Sequence, residues 1–179
     1  MIVAPMKQLP TEADTLFVFP SQLKWMAVVA AGTMVKQLTF GHPTAVAARA
    51  AIDRGLLAHA VPGGAEAPLV RRLQAYAAGM ADDFRDIPID LGRPNTFRRR
   101  VLEQCRQIPY GATLGYGELA AKAGHPGAAR AVGNCMAANR IPLLIPCHRV
   151  VCSDGRLGSF SAPGGTETKR RLLALESGN

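Results

Sequence analysis

Three short β-prone runs open the hydrophobic pattern, at residues 15–19, 25–30 and 34–40. Pro20-Ser21 and Ala31-Gly32-Thr33 separate them, so the pattern predicts an antiparallel meander. Thr44 can cap a helix running to about Arg54, ended by Gly55. Leu69, Val70, Leu73 and Tyr76 then recur at helical spacing, in a second helix that stops near Gly79. The segment 82–94 is acidic and holds Pro88, Gly92 and Pro94, which reads as a linker. No chemistry stands out before it, and residues 1–91 are expected to form a small mixed α/β supporting domain.

The second half is denser in signals. A helix begins at Asn95 or Thr96 and runs through Gln107, with Phe97, Val101, Leu102 and Cys105 on one face, and Pro109-Tyr110-Gly111 breaks it. A short helix over 116–123, the breaker Gly124-His125-Pro126-Gly127 and a longer helix over 128–139 follow. Two helices joined by a tight glycine-containing turn are the outline of a helix-turn-helix. The second is rich in alanine, which allows close approach to a nucleic acid, and Arg130 in its first turn would point at that partner. Alanine-rich helix pairs also pack in ordinary cores. Val150-Val151 and Leu157 flank Asp154-Gly155, a hairpin turn signal, and that hairpin would make a wing. Thr166 caps a final helix through Glu176, with Leu172, Leu173 and Leu175 on its apolar side. The expected fold is therefore α/β: a domain with an antiparallel sheet over 1–91, then a mainly helical domain over 92–179.

Charge sharpens this picture. The chain of 179 residues is 48% hydrophobic and 19% charged, ordinary values for a globular protein. Its net charge of +8 lies wholly in the second half: residues 1–91 carry eight Lys/Arg and eight Asp/Glu, residues 92–179 thirteen and five. A basic half beside a neutral half suits a nucleic-acid-binding module, although a solvated cationic surface has the same composition. No apolar run approaches the roughly 18 residues of a membrane span. Residues 1–10 lack the basic start and long apolar core of a secretory signal, so the cytoplasm is the expected compartment.

The four cysteines, Cys105, Cys135, Cys147 and Cys152, form no CxxC pair and no zinc-ligand spacing. Reduced thiols are expected, with no metal and no cofactor. Cys147-His148 is the candidate for chemistry, because a thiol becomes a strong nucleophile only when a base such as imidazole takes its proton. Adjacent residues need not face one another, and a buried cysteine beside a surface histidine fits the same dipeptide. His42, His59 and His125 show no ligand spacing and are expected at the surface.

Pro146-Cys147-His148-Arg149-Val150 resembles the active-site motif of the O6-alkylguanine-DNA alkyltransferases, also called methylated-DNA–protein-cysteine methyltransferases. The likeness runs in order from Ile108-Pro109-Tyr110-Gly111 through Tyr116-Gly117-Glu118-Leu119-Ala120, Ala129-Arg130-Ala131-Val132-Gly133 and Asn139 to Leu172-Leu173-Ala174-Leu175-Glu176. It implies a ribonuclease H-like first domain and a winged helix-turn-helix in the second. It also implies Cys147 as alkyl acceptor, His148 acting on the thiol through a bridging water, and Glu176 holding His148. Asn139 would tie the helix pair to the active-site turn. Tyr116 would meet the target phosphate and the flipped guanine, and Arg130, with Ala129 beside it, would fill the gap that the base leaves. Arg149 is expected to contact DNA. The carbonyls of Cys147 and Val150 would accept from the guanine amino group, with Phe160 and Ser161 in the pocket. Phe160 departs from a frequent tyrosine, Leu102 from a frequent tryptophan, and Arg140 from the proline of some relatives.

The partner so implied is double-stranded DNA carrying O6-alkylguanine, met by a monomer away from membranes. The relay is expected to lower the Cys147 pKa below its ordinary value of about 8.5. Two other classes compete. A lesion binder without chemistry would lack the acceptor cysteine, and a small-molecule cysteine hydrolase or transferase would have no use for a basic helix pair.

Overall fold

The computed structural model describes residues 13–178, so the reading of residues 1–10 lies outside the described residues. Strands β1 (Asp14–Ser21), β2 (Lys24–Ala31) and β3 (Met34–His42) form the expected antiparallel meander. β2 is central, and its alternation feeds two cores. Met26, Val28 and Ala30 join Phe19, Leu38 and Phe40 on one face, while Ala27 and Val29 join Leu16, Ala48 and Ile52 on the other. Side chains alternate along a strand, so one covered on both faces reads as an unbroken apolar run.

Helix α1 (Ala45–Ala50) starts where Thr44 Oγ1 accepts from Ala47 N at 3.1 Å. It stops well short of Arg54. Asp53 instead opens a separate short helix, α2 (Arg54–Leu57), by accepting from Gly55 N at 2.8 Å, so Gly55 lies inside a turn rather than ending one. An aspartate that caps a new helix competes with continuing the old one. A two-residue strand, β4 (Val61–Pro62), adds parallel to β1 and gives the sheet order β3-β2-β1-β4. Two residues carry no alternation, so the sequence pattern could not reveal this parallel edge. α3 (Pro68–Ala77) turns Val70, Leu73, Tyr76 and Ala77 onto the first core.

The segment expected to be a linker is packed down. Phe84 and Ile87 are buried, Val35 N donates to Pro88 O at 2.9 Å and Asp90 N to Val35 O at 2.8 Å. Two of its carboxylates are engaged: Arg72 bridges Asp82 and Asp86.

α4 (Thr96–Arg106), capped by Asn95, buries Val101, Leu102 and Cys105. β5 (Leu114–Gly115), α5 (Tyr116–Lys122) and α6 (Ala129–Ala137) follow, then a buried turn, closed by Ile145 N donating to Ile141 O, and a single 3-10 turn at Cys147–Arg149. β6 (Val150–Val151) pairs in parallel with β5 rather than with residues near Leu157. The Asp154-Gly155 turn does close, through Cys152 N to Arg156 O at 2.9 Å, but no strand follows it. α7 (Gly165–Ser177) starts from Gly164 in the left-handed region, with Thr166 inside the first turn instead of capping it. One hydrophobic core runs through both halves, from Phe40 and Tyr76 to Val101, Leu119, Val132, Leu144 and Leu172.

Candidate active site

The segment after α6 is unusually apolar, and Ile141, Leu143, Leu144 and Ile145 are all buried. Leu143 takes a left-handed backbone (φ 72), a conformation costing a non-glycine residue about 1 kcal/mol or more. Asn139 organises the turn that follows. Its Oδ1 accepts from Ile141 N at 3.0 Å, and its Nδ2 donates to Ile145 O at 2.8 Å and to Cys147 Sγ at 3.2 Å. Burial pushes the Cys147 thiol up, and the Asn139 hydrogen bond and the Lys169 ammonium only partly offset this. The expectation of a lowered thiol is thereby overturned. Desolvation outweighs the nearby donors, and Cys147 rests as a neutral thiol at neutral pH.

His148 is fully buried, and its Nε2 lies 2.9 Å from Glu176 Oε1. Glu176 is buried rather than frayed into solvent. Arg149 forks onto it, Nε to Oε2 at 2.9 Å and Nη2 to Oε1 at 2.8 Å. Tyr76 donates its hydroxyl to Oε1 at 2.5 Å, and Gly111 N donates to Oε2 at 3.2 Å. Gly111 has φ 73, and a Cβ there would sit 3.1 Å from Glu176 O, so this close approach requires glycine. Burial would raise the Glu176 carboxyl, but hydrogen bonds from His148 and Arg149 outweigh it and hold the group at about 2 against an ordinary 4.5.

An ionised carboxylate only accepts, so His148 must carry its proton on Nε2. Burial lowers the His148 pKa, with Glu176 pulling the other way, and the ring is neutral near pH 7. Its Nδ1 is therefore a bare lone pair. That atom is buried and has no hydrogen-bond partner among the described residues. An unmet buried acceptor costs about 1–3 kcal/mol, and a neutral imidazole with a bare nitrogen has the chemistry of a base.

Arg149 does not face a DNA partner. It is 1% exposed, with Nη1 donating to Ile108 O at 2.6 Å and to Asp83 at 3.2 Å besides its fork on Glu176. A buried guanidinium committed to four internal hydrogen bonds cannot reach a phosphate, so that expectation is withdrawn. Arg149 is the counter-charge of Glu176.

Tyr116 opens α5 half-buried, with the Lys169 ammonium 5.6 Å from its ring centre. Gly158 (φ 72) passes over it, and a Cβ there would lie 2.9 Å from the Tyr116 hydroxyl. Ala129 and Arg130 form the first turn of α6. Arg130 is exposed and makes no ion pair among the described residues. The Val150 carbonyl already accepts from Lys169 Nζ at 2.6 Å and that of Cys147 from Val150 N, which leaves each a second lone pair. Phe160 lies 6.5 Å from Phe40, ring centre to ring centre. Phe160 and exposed Ser161 line a groove of about 510 Å³ with Thr39, His42 and Pro142, and Cys147 is outside that lining. His42 is buried rather than on the surface, its Nε2 2.6 Å from Thr39 Oγ1.

Three contributors escaped the sequence reading. Lys169 is wholly buried beneath the site; its position three residues before Leu172 and seven before Glu176 marks a charge within a helix's inward stripe, which was a usable signal. Tyr76 and Asp83 come from the half expected to hold no chemistry. Nothing in the sequence links position 76 to position 176. Among the described residues, no group of three His, Cys, Asp or Glu is placed to hold a metal ion.

A neutral thiol, a tautomer-fixed imidazole and a carboxylate that accepts five hydrogen bonds make a candidate cysteine-nucleophile site, and Arg130 stands exposed at the start of α6. Residues 96–178 match the family described as "6-O-methylguanine DNA methyltransferase, DNA binding domain". A methylated-DNA–protein-cysteine methyltransferase of Mycolicibacterium paratuberculosis is 48% identical over 107 residues, 60% of this chain and 62% of its own length. The protein of that name from Methanopyrus kandleri is 47% identical over 60% of this chain and 78% of its own. The crystal structure of Mycobacterium tuberculosis OGT in complex with DNA superposes with a TM-score of 0.75 at 31% identity, covering 92% of this chain and 93% of that one. The chain belongs to the methylated-DNA–protein-cysteine methyltransferase family. The alignment with the Mycolicibacterium relative spans less than two thirds of that protein's length.

Proposed function

We propose that the chain repairs DNA by moving the alkyl group of O6-alkylguanine onto Cys147 Sγ, once and irreversibly. The observation that carries this reading is the Cys147–His148–Glu176 arrangement, in which Glu176 fixes the proton on Nε2 and leaves Nδ1 bare. Family membership supports the substrate class, and a DNA complex of the mycobacterial relative supports the partner.

Guanine O6 is packed in the base stack, so in-line attack on its alkyl carbon requires a flipped nucleotide, at a cost of a few kcal/mol. Arg130, at the N-terminal turn of α6, replaces part of the lost stacking. In the transfer, the Cys147 proton passes to His148 Nδ1, through one water where the gap demands it. The S–C bond forms as the C–O6 bond breaks. The leaving guanine takes a proton from the Tyr116 hydroxyl, which burial keeps protonated, and the proton from His148 then restores the tyrosine. The thiol proton thus ends on guanine, and the thioether has no exit. On this reading α5 and α6 form a winged helix-turn-helix in a domain over 92–179. A ribonuclease H-like domain over 1–91 supports it, and a cytoplasmic monomer acts on double-stranded DNA.

Intact mass after incubation with an O6-methylguanine duplex tests the reaction class. A single methyl mapped to Cys147 is expected, with one repaired guanine per protein when the duplex is in excess. Repeated turnover, or methyl on another residue, overturns the reading.

Arg130→Ala is expected to slow single-turnover transfer roughly tenfold or more, the effect of losing about 1–2 kcal/mol of flipped-state stabilisation. Overall affinity should weaken less, because the remaining basic residues still release counterions. Stopped-flow transfer rates beside binding isotherms at two salt concentrations check this; an unchanged transfer rate counts against the finger role.

A further inference from the structure

Among the described residues, Tyr76 is the one side chain of the first half that hydrogen-bonds within the relay. It lies on α3, its ring 1% exposed and wedged between Phe84, 5.3 Å away, and Tyr110, 6.1 Å away and edge-on. Its hydroxyl donates to Glu176 Oε1 at 2.5 Å and stands 3.4 Å from His148 Nε2. The same Oε1 also receives Arg149 Nη2 and His148 Nε2. Three donors thus compete for one oxygen.

We propose that Tyr76 is a positioning residue of the alkyl-transfer site: by occupying Glu176 Oε1 it limits how strongly the carboxylate can hold a protonated His148, and so sets the basicity of Nδ1. The inference rests on the alkyl-transfer reading. Burial raises the Tyr76 hydroxyl well above its ordinary value of 10.0, so it stays a donor throughout the working pH range. The charged and titratable groups around His148 are Glu176, Arg149, Lys169, Cys147 and Tyr76; Glu176 also faces Tyr110, and Asp83 acts on it through Arg149. Arg149 and Lys169 disfavour the imidazolium and Glu176 favours it. Tyr76 moderates the favourable partner without adding charge.

The sign follows. Removing the hydroxyl leaves Glu176 a stronger acceptor for Nε2–H, and His148 becomes more basic. A base must be unprotonated to work, so the acid limb of the transfer rate moves to higher pH. Tyr76→Phe keeps the ring contacts and should raise the His148 titration midpoint, read by histidine 15N NMR on the full chain without DNA. With an O6-methylguanine duplex, the ratio of the rate at about pH 6 to the plateau rate should fall roughly threefold. A ring-fluorinated tyrosine at position 76 is a stronger donor and should move both readouts the other way, which loosened packing would not do. If the wild-type chain transfers no methyl, the underlying reading fails, while the NMR titration still reports on Tyr76. If the wild type transfers methyl but neither substitution moves the midpoint or the acid limb, or both move them in the same direction, the proposal is overturned.

Discussion

Glu176→Ala is expected to destabilise the chain by about 3–5 kcal/mol at pH 7, the usual consequence of removing one partner of a buried ion pair. The Arg149 guanidinium would remain, 1% exposed, with only Asp83 and a carbonyl to compensate it. Tyr76 and His148 would lose their acceptor, and Gly111 N its partner. The same residue predicts a pH dependence. The Glu176 carboxyl is held at about 2 when folded, against an ordinary 4.5. A depressed folded pKa contributes stability above the unfolded value, lost as pH falls from about 4.5 towards 2 and worth up to about 3 kcal/mol here. Urea unfolding of the wild type at pH 7 and pH 3 should therefore show about 2 kcal/mol of this loss. In Glu176→Ala the corresponding part of the pH dependence should be missing. Unfolding midpoints for the variant that match the wild type at pH 7 would show that the five-donor carboxylate is not what holds α7 against the core.

Cys147→Ala should abolish alkyl transfer while leaving DNA affinity within about twofold, since the thiol is buried and exposed Arg130 and the other basic residues of the second half are untouched. The fold should survive as well, because Asn139 Nδ2 keeps its bond to Ile145 O when the sulfur goes. The wild-type thiol adds a further expectation. With burial pushing Cys147 up, a small alkylating reagent should label it slowly at neutral pH, and faster as pH rises. Half-exposed Cys152 should react first. Labelling followed by peptide mapping, beside single-turnover repair, separates the possibilities. Fast labelling of Cys147 at pH 7 would mean a thiolate already formed before DNA arrives, and residual transfer in Cys147→Ala would move the acceptor elsewhere.

Much of this architecture was legible because each signal was local. The three strands announced themselves through alternation and turn residues, and Asn95 and the 97–105 stripe located α4. The Asn139, Cys147, His148 and Glu176 cluster was found through ordered motifs rather than through periodicity. What escaped was long-range or cooperative. Asp53 looked like any helical polar residue until its cap on Gly55 divided the helix. Segment 82–94 had a linker's composition, yet Arg72 and the backbone of β3 draw it into the core. Arg149 carried a charge beside the nucleophile, and only burial reveals that the charge answers Glu176 instead of DNA. The resting state of Cys147 was misjudged for the same reason: desolvation depends on everything packed around an atom, and no stretch of sequence contains that.

Glu176 occupies the final turn of α7, just before the left-handed Gly178 that closes the helix. Helix ends are where native chains open most readily, through local fluctuations far cheaper than global unfolding. Here the end of the helix is fastened by the same five donors that organise the nucleophile's neighbours. Fraying of that single turn would thus disarm the protein while nearly all of its structure stood. On warming, amide exchange near residue 176 and the loss of competence should rise together, ahead of the main melting transition.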